Sequence, residues 1–230
     1  MNLTDDGILL IDKPAGWTSF DVVAKIRGAR KSMLKAQGVT PTKRQLRVGH
    51  AGTLDPFATG LLIILLGDAT KRSDEFLKQD KTYEATLTLG ATSNTGDPEG
   101  EQTFVSDRRP TEHDVAAALS KFTGRISQVP PAFSAIKING QRAYKLARKG
   151  HEVEMPSRQV TIHSLECLSY DYPRLKLRTH VSSGTYIRSL AQDIGSELGV
   201  GAYCSELRRT TIGDLDISGA VTVDSITLTK

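Results

Sequence analysis

Six consecutive apolar residues, Leu61–Leu66, stand directly behind a stretch rich in glycine and small side chains, RVGHAGTLDPFATG (Arg47–Gly60). An unbroken apolar run of that length, closed by Gly67, predicts a strand buried on both faces, and the rest of the chain must fold around it. The stretch ahead of it reads as a loop. Gly49, Gly52 and Gly60 leave room for another backbone or a ligand to come close. Within it Asp55 is the first acidic residue since Asp21.

The totals narrow the class. A chain of 230 residues that is 38% hydrophobic and 24% charged has the make-up of an ordinary soluble globular protein, long enough to bury its own core. The two cysteines, Cys167 and Cys204, have no CxxC spacing, which fits reduced thiols rather than a disulfide scaffold. The five histidines form no HxxxH pair, so no metal site is expected. The acidic start MNLTDDG is unlike a signal peptide, and no apolar run reaches the roughly 20 residues of a membrane helix. These features point to the cytoplasm.

Charge is unevenly spread. Val22–Leu54 and Val115–His151 together hold half of the 30 basic residues and none of the 26 acidic ones. Acid-free runs of this kind predict positive surfaces for a phosphate backbone.

The periodicities predict alternating elements of both types. Gly7–Asp12 reads as a strand, and Ser19 as the cap of a helix running to Ala29. The basic segment 31–45, with Gly38 and Pro41, reads as a mobile loop. A short helix is expected at Asp74–Gln79, a half-buried strand at Tyr83–Leu89, and an acidic turn-rich loop at Gly90–Gly100. Thr111 caps a helix to Phe122 with Glu112 and Asp114 in its first turn. Asn139-Gly140 signals a hairpin. Strands are expected at Val160–Leu168, Leu175–Val181, Leu207–Ile212 and Ile217–Val223, and a helix at Tyr186–Leu198. Without regular βαβ alternation, the pattern predicts an α+β fold with a mixed, mainly antiparallel sheet flanked by helices.

Arg47–Gly60 closely resembles the catalytic loop of the TruB-type pseudouridine synthases. IDKPAGWTS (Ile11–Ser19), KTYEA (Lys81–Ala85), PPAFSAIKINGQRAY (Pro130–Tyr144), SSGTYIRSLAQDIG (Ser182–Gly195) and LRRT (Leu207–Thr210) occur in that family's order and approximate spacing, over nearly the whole chain. The resemblance implies isomerisation of a uridine in the T-loop of tRNA. Asp55 would attack the flipped nucleotide at C6 or C1′, freeing uracil to turn and rejoin through C5. A carboxylate of ordinary pKa about 3.9 is already an anion at pH 7, so no activating base is needed. By the same match Arg188 is the ion-pair partner of Asp55, Tyr83 stacks on the target base, and His50 fills the space the nucleotide leaves. Leu207 lines the uracil pocket, and Lys13, after the first strand, is either structural or a supporting substrate contact close to the site. Lys137, Arg142, Lys145, Arg148 and Lys149 would grip phosphates from an insertion at 129–156 that is mobile without RNA.

The resemblance also implies one catalytic domain over residues 1–230 with no cofactor; no extension for binding a guide-RNA partner is visible, and the short length suggests a monomer. Relatives commonly carry a C-terminal RNA-binding domain of the PUA type, which is not expected in this chain. The basic segment 31–45 is longer than usual and could replace its contacts. The rival readings are a non-catalytic tRNA-binding or folding protein on the same scaffold, a guide-dependent synthase, and a nucleotide-binding enzyme using the glycines. The last lacks any phosphate-binding motif.

Overall fold

The computed structural model describes residues 3–134, 136–138, 140–147 and 153–226. In chain order the elements are β1 (Gly7–Lys13), α1 (Ser19–Ala36), β2 (Val48–Ala51), β3 (Thr59–Leu66), α2 (Ser73–Leu77), β4 (Lys81–Leu89), β5 (Ala91–Ser93) and β6 (Gln102–Phe104). They continue with α3 (Glu112–Lys121), β7 (Gly124–Gln128), β8 (Lys137–Ile138), β9 (Gln141–Arg142), α4 (Ala143–Ala147), β10 (Arg158–Asp171) and β11 (Arg174–Val181). The last are α5 (Ile187–Glu197), β12 (Ala202–Ile212), β13 (Leu215–Asp216) and β14 (Val221–Thr222). Two compact units result: Met1–Thr82 with Arg208–Lys230, and Tyr83–Leu207.

In the first unit the apolar run is the centre of a mixed sheet. Strand β3 pairs antiparallel with β1 from Gly7↔Leu66 to Lys13↔Gly60, and antiparallel with β2 from Val48↔Leu66 to Ala51↔Ile63. It also pairs parallel with β12 at Arg208↔Thr59 and Arg209↔Gly60. Strand β3 has partners on both edges and side chains buried on both faces, which is why six apolar residues in a row are tolerated. Leu61, Ile63 and Leu65 enter a cluster with Ala51, Ala69 and Ile212, bordered by Leu10, Phe76 and Leu215. Alternation along the strand places Leu62 and Ile64 on the other face, equally buried.

Helix α1 departs from expectation at both ends. Its cap is Thr18, one residue earlier than expected, in a reciprocal box with Asp21. It also runs on to Ala36, so residues 31–36 of the basic segment are helical, not loop. The buried stripe Val22, Val23, Ile26, Ala29, Arg30 and Leu34 keeps the helical period through that segment. Arg30 disguised it. Its fully buried guanidinium donates to Leu3 O (2.9 Å), Asp5 O (2.6 Å) and Asp6 Oδ1 (3.0 Å), and also to Gln45 O.

The second unit is built on long antiparallel pairing. Strands β10 and β11 pair from Ile162↔Val181 to Asp171↔Arg174, and β7 pairs with β10 from Arg158↔Gln128 to Ile162↔Gly124. Strand β11 alternates strictly, with Leu175, Leu177, Thr179 and Val181 inward. Helices α3 and α5 bury Val115, Ala118 and Leu119, and Ile187, Leu190, Ala191 and Ile194. The acidic loop expected at Gly90–Gly100 instead opens with β5, which forms a small hairpin with β6. The Asn139-Gly140 signal falls between β8 and β9, paired at Ile138↔Gln141; Asn139 itself lies outside the described residues. The strand expected at Ile217–Val223 is a 3-10 turn at Ile217–Gly219 followed by the two-residue β14. The α+β class with a mixed, mainly antiparallel sheet and flanking helices is borne out.

Candidate active site

Asp55 lies in the loop between β2 and β3, partly exposed. The backbone on each side of it is fixed by other segments of the same unit. Ser19 Oγ, at the start of α1, accepts from Leu54 N (2.9 Å) and donates to Leu54 O (3.2 Å). On the far side, Pro56 O accepts from Gly16 N (2.8 Å) and from Lys13 Nζ (3.3 Å). Lys13 is fully buried, and its ammonium also donates to Pro14 O (2.8 Å) and Trp17 O (2.7 Å). Asp55 O closes a turn by accepting from Ala58 N at 3.1 Å. Both neighbours of the carboxylate are therefore anchored, so little conformational freedom is left to lose when a substrate arrives.

The ends of the loop are set by Arg209 of β12. Buried to 1% exposure, it donates from Nε to Leu61 O (2.8 Å) and from Nη2 to Gly52 O (2.9 Å). Gly60, with φ of +102°, lies so close to β12 that a Cβ there would meet Arg209 O at 2.3 Å. This is the close approach that the glycines of the loop foreshadow. Its neighbour Arg208 forms an ion pair with Asp12 at 2.7 Å.

His50, on β2 opposite Ile64, packs its ring edge-on to Phe20, with centroids 5.5 Å apart and planes at 88°. Burial holds its pKa below the usual 6.5, and the charge of Arg209 lowers it further, so the imidazole is neutral at pH 7. Among the described residues its Nδ1 is buried without a hydrogen-bond partner.

In the second unit Arg188 stands in the first turn of α5 and is 3% exposed. Its Nη1 donates to Thr95 O (2.8 Å) and Asp97 Oδ2 (3.0 Å), and its Nη2 to Phe133 O (2.8 Å). Asp97 is 4% exposed, and its Oδ1 accepts from Thr95 Oγ1 (2.6 Å) and Glu99 N (3.1 Å). Ser189 Oγ donates to Val129 O at 2.8 Å, so the start of α5 holds the start of the 129–156 segment. Tyr83 and Leu207, at 7% and 8% exposure, are the first and last residues of this unit. Asp55, His50 and Lys13 thus belong to one unit, and Arg188, Tyr83 and Leu207 to the other.

Sequence reasoning gave no site role to Asp97, to Arg209, which it met only within the LRRT motif, or to Ser19, which it read only as a helix cap. Asp97 carried a signal: it precedes a proline in a glycine-bounded turn, TGDPEG, as Asp55 does in GTLDPFATG. Arg209 had none, because a basic residue in a predicted strand reads as solvent-facing.

The two acid-free runs fare differently. In the first, acids from elsewhere in the sequence neutralise much of the charge. Arg30 pairs with Asp6, and Arg44, Arg47 and Lys71 gather round Asp68 at 2.5, 3.6 and 3.3 Å. Arg27 donates to Val48 O at 3.0 Å. In the second, Lys121 pairs with Glu197 at 2.6 Å, whereas Arg125, Arg142 and Lys145 are exposed. Lys137 opposes Arg142 in the β8–β9 register. Arg148 and Lys149 lie outside the described residues. No group of metal-ligating side chains and no helix long and apolar enough to cross a membrane occurs among the described residues.

Comparison with known proteins gives two family matches. Residues 36–187 match the model for the TruB family pseudouridylate synthase (N terminal domain), and residues 188–229 that for the tRNA pseudouridylate synthase B C-terminal domain. The protein named tRNA pseudouridine synthase B of Phocaeicola vulgatus is 46% identical over 229 residues, covering 98% of this chain and 93% of its own. The protein of the same name from Parabacteroides distasonis is 48% identical over 223 residues, covering 95% of this chain and 91% of its own. Among solved structures, a chain in the crystal structure of a Cbf5-Nop10-Gar1 complex superposes with a TM-score of 0.69 at 29% identity. That match covers 96% of this chain and 54% of the other, so the present chain spans about half the length of that solved relative.

Proposed function

Because the chain belongs to the TruB family of pseudouridylate synthases, we propose that it isomerises a uridine in the T-loop of tRNA, with Asp55 as the attacking carboxylate. The observation that carries the assignment of Asp55 is the double anchoring of its loop, at Leu54 by Ser19 and at Pro56 by Lys13 and Gly16. A carboxylate held this way is preorganised, and a partly exposed one can meet a nucleotide turned out of its stack. In the proposed reaction Asp55 attacks the nucleotide and the bond between N1 and C1′ breaks. Uracil turns and C5 bonds to C1′; the bond to Asp55 breaks and restores the carboxylate, the C5 proton leaves to solvent, and N1 takes up a proton.

Arg188 is proposed as the cation that pairs with Asp55 from the second unit, an assignment supported by the family motif around it. Asp97 fixes the direction of that guanidinium. Tyr83 stacks on the target uracil, Leu207 lines its pocket, and His50 occupies the gap left in the loop. Being neutral, the imidazole of His50 enters a base stack without stranding a charge there. Lys13 acts from beneath the loop as a positioning residue, since its ammonium is buried on three carbonyls. Arg142 and Lys145, with Lys137, Arg148 and Lys149, contact the phosphates of the T-arm.

On this reading the protein is a cytoplasmic monomer that needs no guide RNA and no cofactor, and all 230 residues form one catalytic machine. The test is tritium release from C5-labelled uridine in a T-arm stem-loop, with pure protein and no added RNA or protein. Wild type releases tritium; Asp55→Asn releases none yet binds the RNA nearly as well. Release only after a second RNA is added would replace the stand-alone reading with a guided one. Release by Asp55→Asn at the wild-type rate would remove the carboxylate from the chemistry. Retained binding by Asp55→Asn also leaves room for a tRNA-folding activity beside catalysis.

A further inference from the structure

Phe20 is 65% exposed although it stands in the first turn of a helix that buries Val22, Val23, Ile26 and Leu34. Water contact over most of a phenyl ring is unfavourable, and nothing in the helix requires it: α1 is capped by Thr18 and packed through Val22, Val23 and Ile26. The ring is nevertheless placed. It packs perpendicular to the imidazole of His50, and the residue before it, Ser19, is hydrogen-bonded to Leu54 next to Asp55. Phe20 is thus fixed relative to both His50 and the Asp55 loop. Trp17, three residues earlier, lies under the ammonium of Lys25 at 5.6 Å, and that ammonium also pairs with Asp224 at 3.8 Å.

An exposed aromatic ring, held at right angles to a neutral imidazole beside the Asp55 loop, is suited to stacking an unpaired nucleobase. We infer that Phe20 is a substrate-contacting residue: its ring stacks on the base adjacent to the flipped uridine while His50 fills the vacated place. This rests on the T-loop reading above and deepens it. In the inferred complex the two rings act as a pair. Phe20 caps the stack that remains, and His50 keeps that stack from closing over the gap. Stacking is available to every base, so Phe20 sets the hold on the opened loop and not its sequence.

The experiment places 2-aminopurine beside the target uridine in a T-arm stem-loop and follows its fluorescence on mixing with the full chain, alongside tritium release. Wild type quenches the probe as it stacks on the ring. Phe20→Ala is expected to lose most of the quench and to raise KM about tenfold, within the range base–aromatic stacking supplies. Phe20→Tyr restores both, and Phe20→Leu, similar in bulk but without a π face, restores neither. Because the ring is exposed, thermal melts of all three variants should overlay that of wild type. A wild-type quench and KM in Phe20→Ala overturn the inference, and so does full recovery by Phe20→Leu, which would reduce the residue to a prop for His50. Wild-type protein that releases no tritium at all indicts the parent reading instead.

Discussion

Replacing Lys13 by methionine separates a residue that holds the site from one that touches RNA. The two side chains are close in length, so the change removes an ammonium and leaves the packing nearly filled. Three carbonyls lose a donor: Pro14 O at 2.8 Å, Trp17 O at 2.7 Å and Pro56 O, which keeps Gly16 N, at 3.3 Å. Hydrogen bonds from a charged group contribute roughly 1.5–3 kcal/mol each, and the long third contact belongs at the bottom of that range. The sum is about 5 kcal/mol. Against it stands relief from keeping a buried ammonium out of water, on the order of 2 kcal/mol or more. The net expectation is a loss of about 3 kcal/mol, or a fall in Tm of about 6–12 °C for a chain of this size. Freed from Lys13, Pro56 loses one of its two anchors, so kcat should fall as well. The Kd for T-arm RNA should stay near wild type, because a side chain with no exposed surface cannot reach a phosphate. Differential scanning fluorimetry and filter binding read the two quantities. An unchanged Tm together with a clear loss of RNA affinity would refute the argument and restore Lys13 as a direct contact.

Three further outcomes follow from the same geometry. Gly60→Ala puts a Cβ 2.3 Å from Arg209 O at a φ of +102°, where backbone meets backbone and nothing can swing aside. A loss of at least about 4 kcal/mol is expected, visible as insoluble expression or an early urea midpoint. Asp97→Asn turns an amide toward Arg188 Nη1, setting donor against donor beside a buried cation. About 3 kcal/mol of stability should be lost by urea unfolding, at the low end for a broken buried pair because Thr95 O and Phe133 O still hold the guanidinium. His50 titrates below its ordinary 6.5 because of burial, and next because of Arg209. The unfolded chain therefore binds the proton more readily, and the stability from a neutral His50 is complete above about pH 6.5. It drains away as the pH drops from there through the lowered folded value, so His50→Gln should flatten that part of a urea-midpoint profile.

Much of this molecule can be read along the chain where a local cause suffices. LLIILL announces a strand covered on both faces, Thr111 with Asp114 announces a capped helix, and Asn-Gly announces a hairpin. Asp55 stands out because its loop contains only one acid and an unusual density of glycine. Charge patterning misled where the cause is not local. Arg30 looks like part of a basic surface, yet it is buried against carbonyls and a carboxylate some 25 residues away. Counting acids within a window cannot reveal Asp6 or Asp68, which come from outside it. The same blindness concealed Ser19 and Arg209, whose worth lies in reaching 35 and 157 residues along the chain to Leu54 and Gly52.

Sequence alone pointed to most of the elements, to the Asp55 loop and to the chain's kinship, since each is written in residues close to one another. Tertiary structure alone decided which cations are spent inside the fold, and which side chains pin Leu54 and Pro56. It also left one phenyl ring in water beside His50. Those outcomes depend on distances between remote segments, and a hydrogen bond is made or lost over a few tenths of an ångström that no spacing in the chain encodes.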